Sequence, residues 1–92
     1  MVRYQWDPDK ARLNKRNHGV DFADAVGVFR DEMAMTKEDP DAEGERRFIT
    51  LGLDSLGRLL VVVFTCRGED TIRLISARKA SRKEEKEYAQ RI

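Results

Sequence analysis

Residues 47–78 read RFITLGLDSLGRLLVVVFTCRGEDTIRLISAR, and this stretch contains the clearest strand signals in the sequence. Its apolar runs are separated by two short segments rich in Asp, Ser and Gly, which are typical of tight turns. Strands joined by such turns form an antiparallel meander. The middle run is almost continuously apolar, as expected for a strand at the centre of a sheet. The predicted strands are Arg47–Leu53, Arg58–Cys66 and Thr71–Arg78.

The residues at the N-terminus predict a short strand followed by a helix. Val2–Trp6 alternates apolar and polar side chains, which is the period of a half-buried strand. Asp7 then suits a helix N-cap, and Pro8 suits the first helical position. Gly19 suits the left-handed turn that ends many helices. We therefore expect a helix over Pro8–His18.

A second helix, a weak strand and an acidic loop fill the interval before the meander. Asp21–Arg30 carries apolar residues at helical spacing, which predicts a helix that faces the core. Met33–Thr36 predicts a weak strand. Glu38–Glu45 is acidic and contains Pro40 and Gly44, so we expect an exposed loop there.

A last helix follows the meander. Residues 81–84, Ser-Arg-Lys-Glu, match the capping box that begins many helices. The helix is expected to run to about Arg91 and is almost wholly polar, with Tyr88 and Ile92 as its apolar anchors. The elements together predict an α+β fold: a short N-terminal strand, two helices, an antiparallel sheet of about four strands and a C-terminal helix, with the helices on one face.

Length and charge indicate a single small domain with two unlike surfaces. Ninety-two residues fit one domain, 1–92, and 38% of them are charged although the net charge is only +1. The sum hides an uneven distribution. Residues 1–20 carry +3, residues 21–57 carry −6 and residues 58–92 carry +4. If the fold brings both ends together, it forms a basic face able to bind a polyanion, whereas the alternative is charge spread for solubility.

Several classes of protein are excluded by composition. The longest apolar run is six residues, Leu59–Phe64, which is far short of a membrane span. A mixed, charged N-terminus gives no secretory signal. The single cysteine, Cys66, excludes an internal disulfide and fits the reducing cytoplasm. Because the chain has only this cysteine and one histidine, it cannot build a structural zinc site alone. We expect a cytoplasmic protein without metal or cofactor.

Cations gather where the third meander strand leads into the last helix. Arg73 interrupts the apolar run of this strand, and Arg78 and Lys79 end it. The helix that follows offers free backbone N–H groups, which also bind phosphate. Arginine suits phosphate because its planar fork donates two parallel hydrogen bonds. The junction is therefore a candidate phosphate site, and the alternative is a salt bridge to the acidic central segment.

The other candidate site residues each have a competing structural interpretation. His18 is the one histidine, a side chain that exchanges protons near neutral pH, but its place in the last helical turn also favours a structural cap. Arg67 ends the central strand and either serves a site or is only solvated. Tyr88 either stacks on a base or donates a proton, or else anchors the last helix. Lys10 and Arg12 either extend a basic face or solvate the first helix.

Several stretches of the chain resemble the BrnT-type toxins. The likeness in the first third lies in Tyr4-Gln5-Trp6-Asp7-Pro8-Asp9-Lys10-Ala11, Asn14, the run from His18 to Ala25, Val28-Phe29 and Asp31. In the rest of the chain it lies in the run from Arg46 to Gly52, Val61-Val62-Val63, Arg67, the run from Arg73 to Ala80, Glu84 and Tyr88. These stretches follow one another in order along nearly the whole chain.

The resemblance implies a RelE-like fold and a toxin of a type II toxin–antitoxin system. It implies ribonuclease activity that blocks translation. It also implies a BrnA-type antitoxin with a ribbon-helix-helix domain, through which the pair contacts operator DNA. For such an RNA substrate, cleaved without a metal, the candidate catalytic residues are Arg67, Arg78, Lys79, His18 and Tyr88. The candidate RNA-binding residues are Lys10, Arg12 and Arg73.

A non-catalytic role is the alternative. The sequence contains no triad or carboxylate–histidine spacing that requires an enzyme, so a RelE-fold binding module acting only in an autoregulatory repressor complex also fits. A DNA-binding protein in its own right is disfavoured, because no basic recognition helix stands out.

Overall fold

The computed structural model describes residues 1–91 as a five-stranded sheet with helices on both faces. The predicted anchor Ile92 lies outside the described residues. In chain order, the elements are β1 Arg3–Gln5, α1 Pro8–His18, α2 Phe22–Ala25, a 3-10 helix Val26–Arg30, β2 Met35–Glu38, β3 Phe48–Leu53, β4 Leu59–Arg67, β5 Thr71–Lys79 and α3 Arg82–Ala89.

The predicted helix boundaries are confirmed where capping residues mark them. The side chain of Asp7 accepts a hydrogen bond from the N–H of Asp9 at the start of α1, and Gly19 ends that helix with φ 70°. Ser81 and Glu84 form both hydrogen bonds of the predicted capping box at the start of α3. The segment predicted as one helix, Asp21–Arg30, is instead α2 followed by the 3-10 helix.

Gly27 explains how the 3-10 helix packs against the turn between β3 and β4. A Cβ atom at position 27 would lie 2.4 Å from the backbone nitrogen of Ser55. Such a contact is impossible without moving the backbone, so only glycine permits this close approach. The turn is also held to α2 by a hydrogen bond from the Ser55 N–H to the carbonyl of Asp24, at 3.2 Å.

The sheet has the strand order β1-β5-β4-β3-β2. The predicted α+β class is confirmed, and β2 to β5 pair antiparallel as expected. β1 adds a fifth strand, which pairs in parallel with β5 and makes the sheet mixed. It covers only Thr71–Arg73 of that edge, so the remaining backbone groups of β5 need another partner.

Two hydrophobic cores lie on opposite faces of the sheet. Leu60 and Val62 of β4 belong to the core beneath α1 and α2, whereas Val61 packs with Tyr88 of α3. The expectation of helices on one face is therefore wrong. The reason lies in the continuously apolar β4, whose alternating side chains must be covered on both sides.

Candidate functional site

Asn14 holds α1 along the part of β5 that β1 leaves open. Its Oδ1 accepts a hydrogen bond from the N–H of Ala77 at 3.0 Å. Its Nδ2 donates to the carbonyls of Ala77 at 2.9 Å and of Val20 at 3.0 Å. The side chain thus takes the place of a neighbouring strand on a buried edge. This contact fixes which face of α1 meets the sheet.

A groove runs between α1, β5 and the residue that precedes β3, with a volume of about 360 Å³. Residues 10, 13, 14 and 17 share one face of α1 because they follow the helical repeat. We call this cavity the α1 groove. It is lined by Lys10, Leu13, Asn14, Asn17, His18, Arg47, Ile75 and Ser76.

The α1 groove carries positive charge that no lining carboxylate offsets. Within residues 1–91, neither Lys10 nor Arg47 forms an ion pair. His18 also lines the groove and is exposed. Cations, an imidazole and neutral amide and hydroxyl groups together favour an anionic ligand. The groove is therefore the best candidate in the described part of the chain for a phosphate site.

A β-bulge places two further arginines, Arg73 and Arg78, on the face of the sheet that packs against α3, and Ser76 of the groove shares that face. Val63 pairs with Ser76, but the next residue of β4, Phe64, pairs with Leu74, so Ile75 is an extra residue. Regular alternation would put Arg73 and Arg78 on opposite faces, since they are five residues apart. The extra residue restores them to the same face. Bulges commonly re-aim side chains beside active sites.

Arg78 is held by Glu84 of α3. Its Nη1 and Nη2 atoms donate to the two carboxylate oxygens at 2.8 and 2.9 Å. Nη1 also donates to the carbonyl of Lys79 at 3.2 Å. Hydrogen bonds from Arg78, reinforced by Ser81, lower the pKa of Glu84 to about 2. The hydrogen bonds to Glu84 raise the pKa of Arg78. The bonds to Glu84 and Lys79 use Nη1 and Nη2, so the edge of the guanidinium on the Nε side is not used by these partners.

Removing the charge of Glu84 is expected to weaken the protein only above acidic pH. Glu84→Gln should lower the free energy of unfolding by about 1 kcal/mol at neutral pH, since Arg78 is partly exposed. The pKa of Glu84 falls on folding from 4.5 to about 2, so the stabilisation is complete above pH 4.5 and is lost toward pH 2. Urea unfolding across this range should show the two proteins converging.

Glu85→Gln is the matched control, because Glu85 also lies in the first turn of α3 but does not contact Arg78. A difference between Glu84→Gln and the original protein that stayed constant down to about pH 2 would contradict the assigned pair.

Two arginines that were predicted as site residues form ion pairs away from the α1 groove. Arg67 pairs with Glu45 at 3.2 Å, which joins the end of β4 to the acidic loop. Arg12 pairs with Asp9 on the exposed surface of α1. The structural alternative for both arginines was simple solvation, whereas each lies in an exposed ion pair. Arg73 is different, because its Nη1 donates to the neutral Oε1 of Gln5 at 2.8 Å and so keeps its charge uncompensated by that bond.

Lys79 and Tyr88 also lie apart from the α1 groove. Lys79 lines a separate groove with Arg58 and Glu85. Tyr88 is 7% exposed and its hydroxyl donates to Oδ2 of Asp31 at 2.6 Å. This hydrogen bond, helped by burial, raises the pKa of Tyr88 to about 12. The tyrosine is thus a packing anchor of α3 that shares its acceptor with the N–H of Leu53.

Among the residues that line the α1 groove, sequence reasoning named only Lys10 and His18 as site candidates. It missed the other six, which are Leu13, Asn14, Asn17, Arg47, Ile75 and Ser76. Asn17 had a detectable signal, since it lies seven residues after Lys10 on the weakly apolar α1. Arg47 was treated only as the start of a strand. Its entry into the groove depends on the sheet, because it lies two strands away from β5.

Comparisons with known proteins agree with this fold. A family model described as "Ribonuclease toxin, BrnT, of type II toxin-antitoxin system" matches residues 6–84. The crystal structure of the Brucella abortus ribonuclease toxin, BrnT, at 1.1 Å resolution, is 26% identical in sequence with a TM-score of 0.66. The match covers 89% of this chain and all of that one. No curated protein matches the chain.

The matched region includes the whole α1 groove, Arg73, Arg78 and Glu84. It places the protein in the class of toxins from type II toxin–antitoxin systems. Within that class, the chain belongs to the BrnT family of ribonuclease toxins. Among residues 1–91, no helix has the length and apolar character needed to cross a membrane.

Proposed function

We propose that this protein is a metal-independent endoribonuclease that inhibits translation in the cytoplasm. A BrnA-type antitoxin with a ribbon-helix-helix domain neutralises it, and the pair reaches operator DNA through that antitoxin. The observation that carries the proposal is the α1 groove, where Lys10, Arg47 and His18 meet without a lining carboxylate. Arg73, which is hydrogen-bonded to the neutral Gln5, extends this positive surface along β5. Arg78 is instead paired with Glu84 and offers only the edge of its guanidinium that this carboxylate leaves unused. Single-stranded RNA is a polyanion that fits such a surface.

Cleavage of RNA without a metal uses the 2′-hydroxyl beside the scissile phosphate as the nucleophile. Its oxygen bonds to phosphorus while the bond from phosphorus to the 5′-oxygen breaks, which leaves a 2′,3′-cyclic phosphate and a 5′-hydroxyl. One group must accept the 2′ proton and another must protonate the leaving oxygen. Cations must stabilise the added charge on the phosphoryl oxygens.

The groove residues suit these tasks. His18 is exposed and lines the groove, and histidine can both accept and donate a proton near neutral pH. Arg47 contributes a guanidinium for the phosphoryl oxygens. Arg78 can also donate to the phosphoryl oxygens, through the edge of its guanidinium that Glu84 leaves unused. Lys10 and Arg73 hold the neighbouring phosphates of the strand.

Growth and cleavage assays test the proposal together. Induced expression in bacteria should arrest growth, and co-expression of the antitoxin from the adjacent reading frame should restore it. The purified protein should cleave RNA in the presence of EDTA and yield cyclic phosphate ends. Folded protein that arrests no growth and cuts no RNA would instead support the non-catalytic binding module. Cleavage abolished by EDTA and restored by a divalent cation would overturn metal independence.

Alanine variants of two neighbouring cations, Arg78 and Lys79, test where the RNA is cleaved. Arg78→Ala should reduce cleavage by about 10²-fold to 10³-fold, because it removes a donor to the phosphate. Lys79→Ala removes the same charge from the separate groove and should change the rate by less than about 3-fold. Initial rates on a defined RNA, with circular dichroism as the check of folding, distinguish the two. Full activity of Arg78→Ala would place the scissile phosphate elsewhere.

A further inference from the structure

Leu13 is an apolar side chain that neither core uses. It is 55% exposed on a helix that is otherwise mostly polar, and it belongs to neither hydrophobic cluster. The core contact of this helix is made by Ala11 instead. Leu13 lies in the α1 groove, one turn before Asn17. Core packing therefore does not explain why a leucine lies in this basic groove.

Ile75 is the second apolar side chain that lines the α1 groove. It is the extra residue of the β-bulge, so it has no partner on β4. It also belongs to neither core cluster, and its side chain lines the α1 groove. The bulge thus supplies the groove with a second apolar side chain. Leu13 and Ile75 together form a small apolar patch within a positively charged surface.

Asn17 places an amide beside this patch. The side chain is exposed, and within residues 1–91 it makes no hydrogen bond that would occupy it. Asn14, one turn earlier, is by contrast fully engaged by Ala77 and Val20. A free amide can donate and accept at the same time, which is what the edge of a nucleobase requires.

We infer that the α1 groove holds one unpaired nucleotide of the RNA, with its base against Leu13 and Ile75 and its edge hydrogen-bonded by Asn17. This inference rests on the proposed function. The volume of about 360 Å³ lies within the range of small-ligand sites. The flanking Lys10 and Arg47 hold the phosphates on either side. Asn17 is thereby the residue that sets the nucleotide preference of cleavage.

The surroundings favour a nucleotide over a protein side chain as the occupant. The patch is only two residues wide, whereas the rest of the groove lining is cationic or neutral and polar. Sequence-specific recognition of RNA targets unstacked bases, which pack against protein side chains while their edges are hydrogen-bonded. Apolar packing, cations for phosphate and one free amide match these three needs.

Two variants test the inference. Leu13→Ser should raise KM about 10-fold and change kcat by less than about 2-fold, because it weakens base packing without touching the reacting atoms. Leu56→Ser is the matched control, since Leu56 is 64% exposed in the turn between β3 and β4 and lines no part of the groove. Asn17→Asp should change the preferred nucleotide, mapped by sequencing the cut ends of a mixed RNA pool.

A binding assay separates this inference from the proposed function. A short RNA with 2′-deoxy substitution at the cut site binds but cannot be cleaved, and its fluorescence anisotropy should show weaker binding to Leu13→Ser. If the original protein cleaves no RNA, the proposed function fails. If it cleaves RNA but both variants keep its KM and its cut-site preference, the nucleotide site is overturned while the function stands. Loss of antitoxin rescue with unchanged RNA binding would assign the patch to protein docking instead.

Discussion

Asn14→Leu is expected to lower the free energy of unfolding by about 3–5 kcal/mol, which is a large part of the stability of a small domain. The leucine has a similar size but leaves three buried backbone groups without partners. These groups are the N–H and carbonyl of Ala77 and the carbonyl of Val20. Each unsatisfied buried group costs about 1–3 kcal/mol. Urea unfolding followed by circular dichroism measures the difference.

Asn17→Leu is the matched control, because it makes the same substitution one turn along α1 at an exposed position. It should change the free energy of unfolding by less than about 0.5 kcal/mol. A similarly small loss for Asn14→Leu would mean that α1 is held to β5 by other contacts. The destabilised variant should also aggregate more readily, since the edge of β5 loses its cover.

His18→Ala is expected to reduce the rate of RNA cleavage by about 10²-fold to 10⁴-fold, which is the usual contribution of a general acid or base. The side chain is exposed at the end of α1, so folding should be retained. Single-turnover kinetics with saturating protein measure the chemical step without the binding step. His18→Gln keeps hydrogen bonding but cannot exchange a proton, and it should be as slow as the alanine variant.

Arg16→Ala provides the control for His18. Both residues are basic and lie in the last turn of α1, where they interact with the helix dipole. Arg16 does not line the α1 groove, so its removal should leave the cleavage rate within about 2-fold. Normal single-turnover rates for His18→Ala would assign both proton transfers to other groups. An increase in KM alone would limit His18 to binding.

The elements of this fold follow from local patterns that act over a few residues. α1 is predicted at both ends because Asp7 and Gly19 satisfy or turn the backbone there, whatever the helix packs against. The capping box at Ser81 is equally local. The antiparallel meander follows from apolar runs and tight turns.

The faces and the groove depend on contacts between distant parts of the chain. α3 covers the second face of the sheet, where the hydroxyl of Tyr88 donates a hydrogen bond to Asp31 across 57 positions of the chain. The bulge at Ile75 depends on how two strands pair, and alternation by itself would separate Arg73 from Arg78. The cation cluster expected to bind phosphate at the start of α3 is partly occupied, because Glu84 accepts hydrogen bonds from one end of the Arg78 guanidinium.

Local sequence patterns and composition predict α1, the start of α3, the meander, the α+β class and the excess of cations toward both ends, because each depends on neighbouring residues or on overall residue content. Which cations come together depends on tertiary contacts. Asn14 brings Lys10 and His18 to β5, and the path of the sheet brings Arg47 across to them. Such a meeting depends on hydrogen bonds and strand register between residues far apart in the chain, and no local pattern records these.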